Sequence, residues 1–234
     1  MMPEGLIERI KAAGYTRVVI RPIDAPEELT IAQAREAVEK ASVSLRGWDY
    51  PHVARRNDEH GGYETFAEFA QDWCDWHYHR EFWRMYKSGQ FLHYKALRED
   101  LSTDENVPNR DGPILAIGSL VYTVTEVTEF AHRLFRHGLY KSGAYIQLTL
   151  GGARGRQLWV DDPNRMPFSM SRITSSENIS HNVSLSPSEL EAGDPKDPAL
   201  SMLLNIFDAF GWRASPEQTR KQQDQLYGLE LGRG

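Results

Sequence analysis

Apolar residues recur along this chain at two spacings, and the switches between them mark out its elements. Leu6 to Ala13 repeats at helical intervals, and Arg17-Val-Val-Ile-Arg21 reads as a strand closed by Pro22. Ile31, Ala34, Val38 and Ala41 predict a helix over Thr30 to Ala41, leading into a strand at Val43 to Arg46. Gly62 to Asp72 sets Phe66, Phe69 and Ala70 against Glu64, Glu68 and Asp72, which predicts another helix. Between Arg80 and Leu97 the run "REFWRMYKSGQFLHYKAL" predicts a two-stranded ribbon turning at Ser88-Gly89. Asp100 to Pro113 is polar and rich in turn formers, as a surface loop would be.

From Ile117 a helical period runs through Leu120, Val121, Val124, Val127, Ala131, Leu134 and Phe135 to a stop at Gly138. This is the longest helix predicted and the central packing element. "YIQLTLGGARGRQLWV" predicts a second hairpin, turning over Gly151 to Gly155, and Ile179 to Leu185 a further strand. Asp197-Pro198 opens a helix whose Leu200, Leu203, Leu204, Phe207 and Phe210 form a buried stripe. Ser215-Pro-Glu-Gln opens a last helix to Tyr227, mostly polar and therefore peripheral. The order reads as one α+β domain over residues 1–234. Its antiparallel or mixed sheet comes from two hairpins plus the N-terminal strands, with helices mainly on one face and a C-terminal helical pair.

The composition fits that picture: 234 residues, 40% hydrophobic and 26% charged, supply a sizeable core and argue against disorder. A net charge of −6 argues against duplex nucleic acid as a partner, since such binding neutralises phosphates with Lys and Arg. One cysteine, Cys74, cannot make an internal disulfide, and Met-Met-Pro-Glu-Gly lacks the pattern of a signal peptide. The most apolar helical stretch, Ile114 to Leu139, carries Glu126, Glu129, His132 and Arg133, which a membrane span would exclude. The expectation is a soluble, cytoplasmic protein without a membrane partner.

The chemistry-bearing residues cluster around "SLRGWDYPHV", Ser44 to Val53, where an indole, a carboxylate, a phenol and an imidazole fall within five positions. Trp48, Trp73, Trp76 and Trp83 lie close in sequence to one another and to Tyr50, Tyr78, Phe82 and Tyr86. An aromatic group of this size with polar tips suits the wall of a recognition cleft. Arg46, Trp48, Asp49, Tyr50, His52, Trp76 and Arg84 are its candidate ligand-binding residues. The leading expectation is a recognition or sensor module for a small ligand or protein partner, with no catalysis and no cofactor.

Two other readings compete with it. If Asp75 to Glu81 is extended, Asp75, His77, His79 and Glu81 share a face, as a metal-dependent hydrolase or nuclease could use. A further ligand would come from Asp49, His52, His93 or His132, and the expectation is that no metal site forms. Alternatively, Phe82, Arg84, Tyr86, Phe91, His93 and Lys95 on one ribbon face resemble in composition a platform for nucleotides or single-stranded nucleic acid. Gly151 to Arg156 reads as a hairpin tip rather than an anion loop, and Asp161-Asp162 as a turn.

Overall fold

The computed structural model describes residues 1–24, 27–101 and 112–231. The chain runs α1 (Leu6–Ala12), β1 (Tyr15–Pro22), α2 (Ile31–Ala41), β2 (Gly61–Thr65), β3 (Phe69–Trp76), β4 (His79–Tyr86), β5 (Phe91–Ala96) and α3 (Arg98–Leu101). It continues β6 (Ile114–Ala116), α4 (Ile117–Arg136), β7 (Ala144–Gly151), β8 (Gln157–Trp159), β9 (Asn178–Leu185), α5 (Pro187–Ala192), α6 (Lys196–Asp208) and α7 (Pro216–Leu231). The fold is α+β, as the sequence pattern predicts.

Seven strands form one antiparallel sheet in the order β2-β3-β4-β5-β1-β7-β9, and β6 and β8 make a separate parallel pair. β1 becomes a central strand because Val18, Val19 and Ile20 are apolar toward both faces. Against one face lies α4, with Leu120, Val124, Val127, Ala131 and Leu134 all buried. α2, α5, α6 and α7 close around α4 on that side, and Leu226 and Gln223 dock the otherwise polar α7. On the opposite face Leu6 and Ile10 of α1 cover Trp73, Phe82 and Ala96. No helix among the described residues is long and apolar enough to cross a membrane.

Local chemistry explains where helices begin. Thr30 and Gln33 form a reciprocal capping box on α2, and Ser186 and Glu189 form another on α5, a helix absent from the sequence reading. At the start of α4 the amides of Gly118 and Ser119 donate to the Asp161 carboxylate at 2.7 and 3.2 Å. Asp161 thus satisfies helix donors that would otherwise lack partners. A Cβ at position 118 would come within 2.9 Å of that carboxylate, so glycine admits the close approach.

Four expectations are corrected. Val43 to Arg46 is not a strand: Val43 makes a single bridge with Tyr50, which closes a tight loop between them. Gly62 to Asp72 is not a helix but supplies β2 and the start of β3, where Ala70 to Cys74 are buried toward both faces of a pleated ladder between β2 and β4. The second hairpin does not form: β7 pairs with β1 and β9, and β8 pairs with β6. The buried Arg156 holds the intervening turn, with Nη1 and Nη2 donating to Asp100 at 2.9 and 2.6 Å and Nη1 also to the Ile114 carbonyl. That occupies one of the two basic groups of the Gly151 to Arg156 loop, and the exposed Arg154 pairs with Glu177.

The fourth correction concerns the β4–β5 ribbon, which exists but turns through three residues, Lys87, Ser88 and Gly89, with Gly89 at φ 75°. Phe91 therefore faces Met85, and His93 faces Trp83, one position away from the register that a two-residue turn would set. Phe91 and His93 are buried under α4, while Phe82, Arg84 and Tyr86 lie on the opposite face. The aromatic-basic platform is thereby divided between two sides of the sheet. Most of the predicted Asp100 to Pro113 loop lies outside the described residues.

Replacing Asp161 by Ala should lower stability by about 1 kcal/mol through loss of the α4 cap. Gly118→Ala should produce a similar loss by displacing the same carboxylate. Urea unfolding of both variants checks this, and the double variant should be no worse than their sum.

Candidate functional site

The loop after α2 carries its side chains to the edge of the buried sheet face. Leu45 and Tyr50 are buried and anchor it, while the Tyr50–Pro51 peptide bond is cis. The loop is then fastened to β3 and β4 by three polar contacts. His52 donates its amide to Glu81 Oε1 at 2.8 Å, Trp83 Nε1 donates to the His52 carbonyl at 2.7 Å, and the Ala54 amide donates to Asp72 Oδ2 at 2.8 Å.

Glu81 is the centre of this arrangement. His93 Nε2 lies 3.2 Å from its Oε2, and the Tyr50 hydroxyl lies 3.3 Å from His93 Nδ1. His79 Nε2 lies 3.3 Å from the same Oε2. Burial works to raise the Glu81 pKa, but the two imidazoles outweigh it and hold the carboxylate well below its ordinary range. Burial lowers His79 and His52 instead, so that neutral rings are favoured.

Next to this cluster opens a cleft of about 360 Å³ between the loop, β5 and the first turns of α4. Arg46, Trp48, His79, Lys95, Ser119 and Thr123 are among its lining residues, with Leu97, Leu115 and Leu120 supplying apolar surface. Arg46 grips the buried Glu126 through Nε at 2.9 Å and Nη2 at 2.7 Å. Burial raises Glu126, and Arg46 opposes that shift. Lys95 stands directly opposite Glu81 in the ladder, but its side chain has no hydrogen bond or ion pair among the described residues.

The candidate ligand residues are therefore dispersed. Arg46 and Trp48 line the cleft, and His52 and Trp76 lie behind Trp48, at 4.9 and 5.2 Å between ring centroids. Tyr50 belongs to the core, edge-on to Phe130 and His93. Asp49 turns instead to a wide depression shared with Arg35, Glu39, Ser42 and Tyr63. Arg84 lies on the other sheet face, over Phe69 and hydrogen-bonded to Gln71. The expectation that Asp49, His52 and Arg46 share one cleft is corrected by the tight Val43–Tyr50 bridge, which sends successive side chains apart.

Asp75, His77 and His79 do not converge either. Trp76 pairs with His79, so His77 and Tyr78 form the exposed turn of a hairpin. Asp75 is on the α1 face, where Arg9 and Arg80 bind it. His79 instead joins Cys74 and Glu81, whose donor atoms lie within 4.8 Å of one another. The sequence places Glu81 with the histidine run and Lys95 on the ribbon, but the meeting of Cys74, Glu81 and Lys95 on one face is not legible there, because it depends on two strand registers.

No protein-family profile, no curated protein and no solved structure matches this chain.

Arg46→Met should cost about 3 kcal/mol, because it leaves the buried Glu126 carboxylate without its guanidinium. Adding Glu126→Leu should restore part of the loss in chemical denaturation, as removal of both charges relieves the unpaired one. A separate pH dependence belongs to Asp72, raised to about 7 chiefly by burial and only partly held down by Arg35 and the Ala54 amide. Against an unfolded value of about 3.9, the native state binds the extra proton, so this contribution to stability is full below about pH 4 and is lost as pH rises toward about 7. Asp72→Asn should abolish that decline, which makes the variant progressively more stable relative to wild type from pH 4 to 7 in parallel thermal or urea titrations.

Proposed function

We propose that this protein is a recognition module that holds a small molecule bearing an anionic group in the cleft beside Lys95. The observation that carries this reading is Lys95 itself: a partly buried cation lining a concave site, with no direct ion pair to a carboxylate among the described residues and only a longer-range attraction to Glu126, in a chain of net charge −6. A cation withdrawn from water favours a ligand that returns the lost electrostatic contact. Arg46 is already neutralised by Glu126, which leaves Lys95 to select the anion. The hydroxyls of Thr16, Ser119 and Thr123 can orient polar groups, and Leu97, Leu115 and Leu120 can contact an apolar body.

Recognition is favoured over covalent catalysis because Cys74 is fully buried, and burial pushes its thiol well up. The ribbon reading as a nucleic-acid platform lost support when its members separated onto two faces. A cleft of this size suits a metabolite rather than a polymer.

Two probes test the proposal, inorganic phosphate and benzoate, followed by NMR on the whole chain. The expected perturbations are at Lys95, Ser119 and Thr123, with Lys95→Met weakening binding at least about tenfold, equivalent to about 1.4 kcal/mol. Unchanged affinity in Lys95→Met, or perturbations confined to the depression around Asp49, would sink this reading.

A further inference from the structure

Behind the cleft the sheet brings three donor atoms of different chemistry together. Cys74 and Glu81 face each other across the β3–β4 ladder, and His79 is two residues before Glu81 on the same strand. The period of two therefore puts all three side chains on one face. The Cys74 sulfur, a His79 ring nitrogen and a Glu81 oxygen lie within 4.8 Å of one another.

The environment of these atoms points to a cation between them. His79 Nε2 is buried and 3.3 Å from Glu81 Oε2, yet it is poorly aligned for a hydrogen bond there and makes no well-formed one among the described residues. An imidazole nitrogen and a carboxylate oxygen held this close with poor hydrogen-bond alignment are placed as two ligands of one ion would be. Glu81 is also held from behind, by the His52 amide on Oε1 and by His93 on Oε2, while Tyr50 meets the far nitrogen of His93. Such outer contacts orient a ligating carboxylate.

We propose that Cys74, His79 and Glu81 form a three-ligand site for a zinc-class divalent cation, with a fourth position for water or an external ligand. Thiolate, imidazole and carboxylate select zinc or cobalt over magnesium and calcium. Thiolate and carboxylate together balance the two positive charges, so the loaded site is neutral. Uptake replaces the sulfur–hydrogen bond of Cys74 with a sulfur–metal bond and releases that proton to solvent. Lys95, opposite Glu81, is the nearby cation that opposes binding, while the Arg46–Glu126 pair contributes little net charge. The site does not depend on the anion reading of the cleft: a cleft that binds neither phosphate nor benzoate leaves the following test unchanged.

The test uses the full chain, purified without a histidine tag, stripped with chelator and titrated with Co²⁺. The expected result is one equivalent bound, with a thiolate-to-cobalt charge-transfer band and intense d–d bands, both displaced by Zn²⁺. Cys74→Ser should lose the charge-transfer band, and His79→Ala should weaken cobalt uptake at least about tenfold. His77→Ala, on the exposed turn, should bind as wild type does. Circular dichroism establishes that each variant is folded, and a misfolded Cys74→Ser is replaced by Cys74→Ala, for which the same loss is expected. Absence of a thiolate band in wild-type protein, or identical cobalt spectra and affinities in the Cys74 and His79 variants, would overturn the proposal.

Discussion

A carboxylate buried in the middle of a sheet face sets the terms for one half of this molecule. Glu81 is inaccessible to water, so each of its oxygens requires a donor from the protein. The His52 amide supplies one and His93 another, and meeting that requirement draws the loop after α2 down onto β4. Trp83 then bonds back to the His52 carbonyl, and Trp48 stacks on the His52 ring. The aromatic wall of the cleft is thus a consequence of solvating a charge internally. Removing the carboxylate would leave several inward-pointing donors without acceptors, a larger disturbance than the loss of one contact.

The same logic repeats along α4, where a helix enclosed on nearly every side carries Glu126, Glu129 and His132 among its apolar residues. Arg46 reaches Glu126 from the loop, and Arg133, Arg136 and Tyr227 surround Glu129. Glu129 and Arg133 therefore do more than make a solvated pair on one helix: Arg133 also donates to the Ser42 carbonyl, and Tyr227 ties α7 to α4. His132 has both ring nitrogens buried, with no well-aligned hydrogen bond among the described residues, and burial lowers its pKa. Polar groups on α4 thus specify which neighbouring elements lie where, while Val121, Val124 and Phe130 supply the apolar burial.

The cleft and the buried cluster are adjacent but chemically distinct. On the cleft side are an ammonium, hydroxyls and leucines; on the sheet side are a thiol, imidazoles and a carboxylate. His79 is common to both, lining the cleft and standing beside Glu81. A charged ligand in the cleft and a cation in the cluster would therefore feel one another across one imidazole. At such separations in a poorly hydrated site, the interaction of two charges is far stronger than in bulk water.

Local chemistry determined much of what could be read from the chain alone. The apolar stripe from Leu120 to Leu134 marked α4, the helical spacing of Ile31, Ala34, Val38 and Ala41 marked α2, and the apolar run before Pro22 marked β1. These signals lie within one element and need no distant partner. The sequence also concentrates aromatic and histidine residues in the segments around Trp48 and His79. Tertiary structure alone decided which of those residues meet. A single extra residue in the Lys87–Gly89 turn moved Lys95 opposite Glu81, and the His77–Tyr78 turn sent Asp75 and His79 to opposite faces. Because a strand changes face at every residue, its site chemistry depends on register, and register is set by pairing with strands remote in sequence as well as by the turn between neighbours.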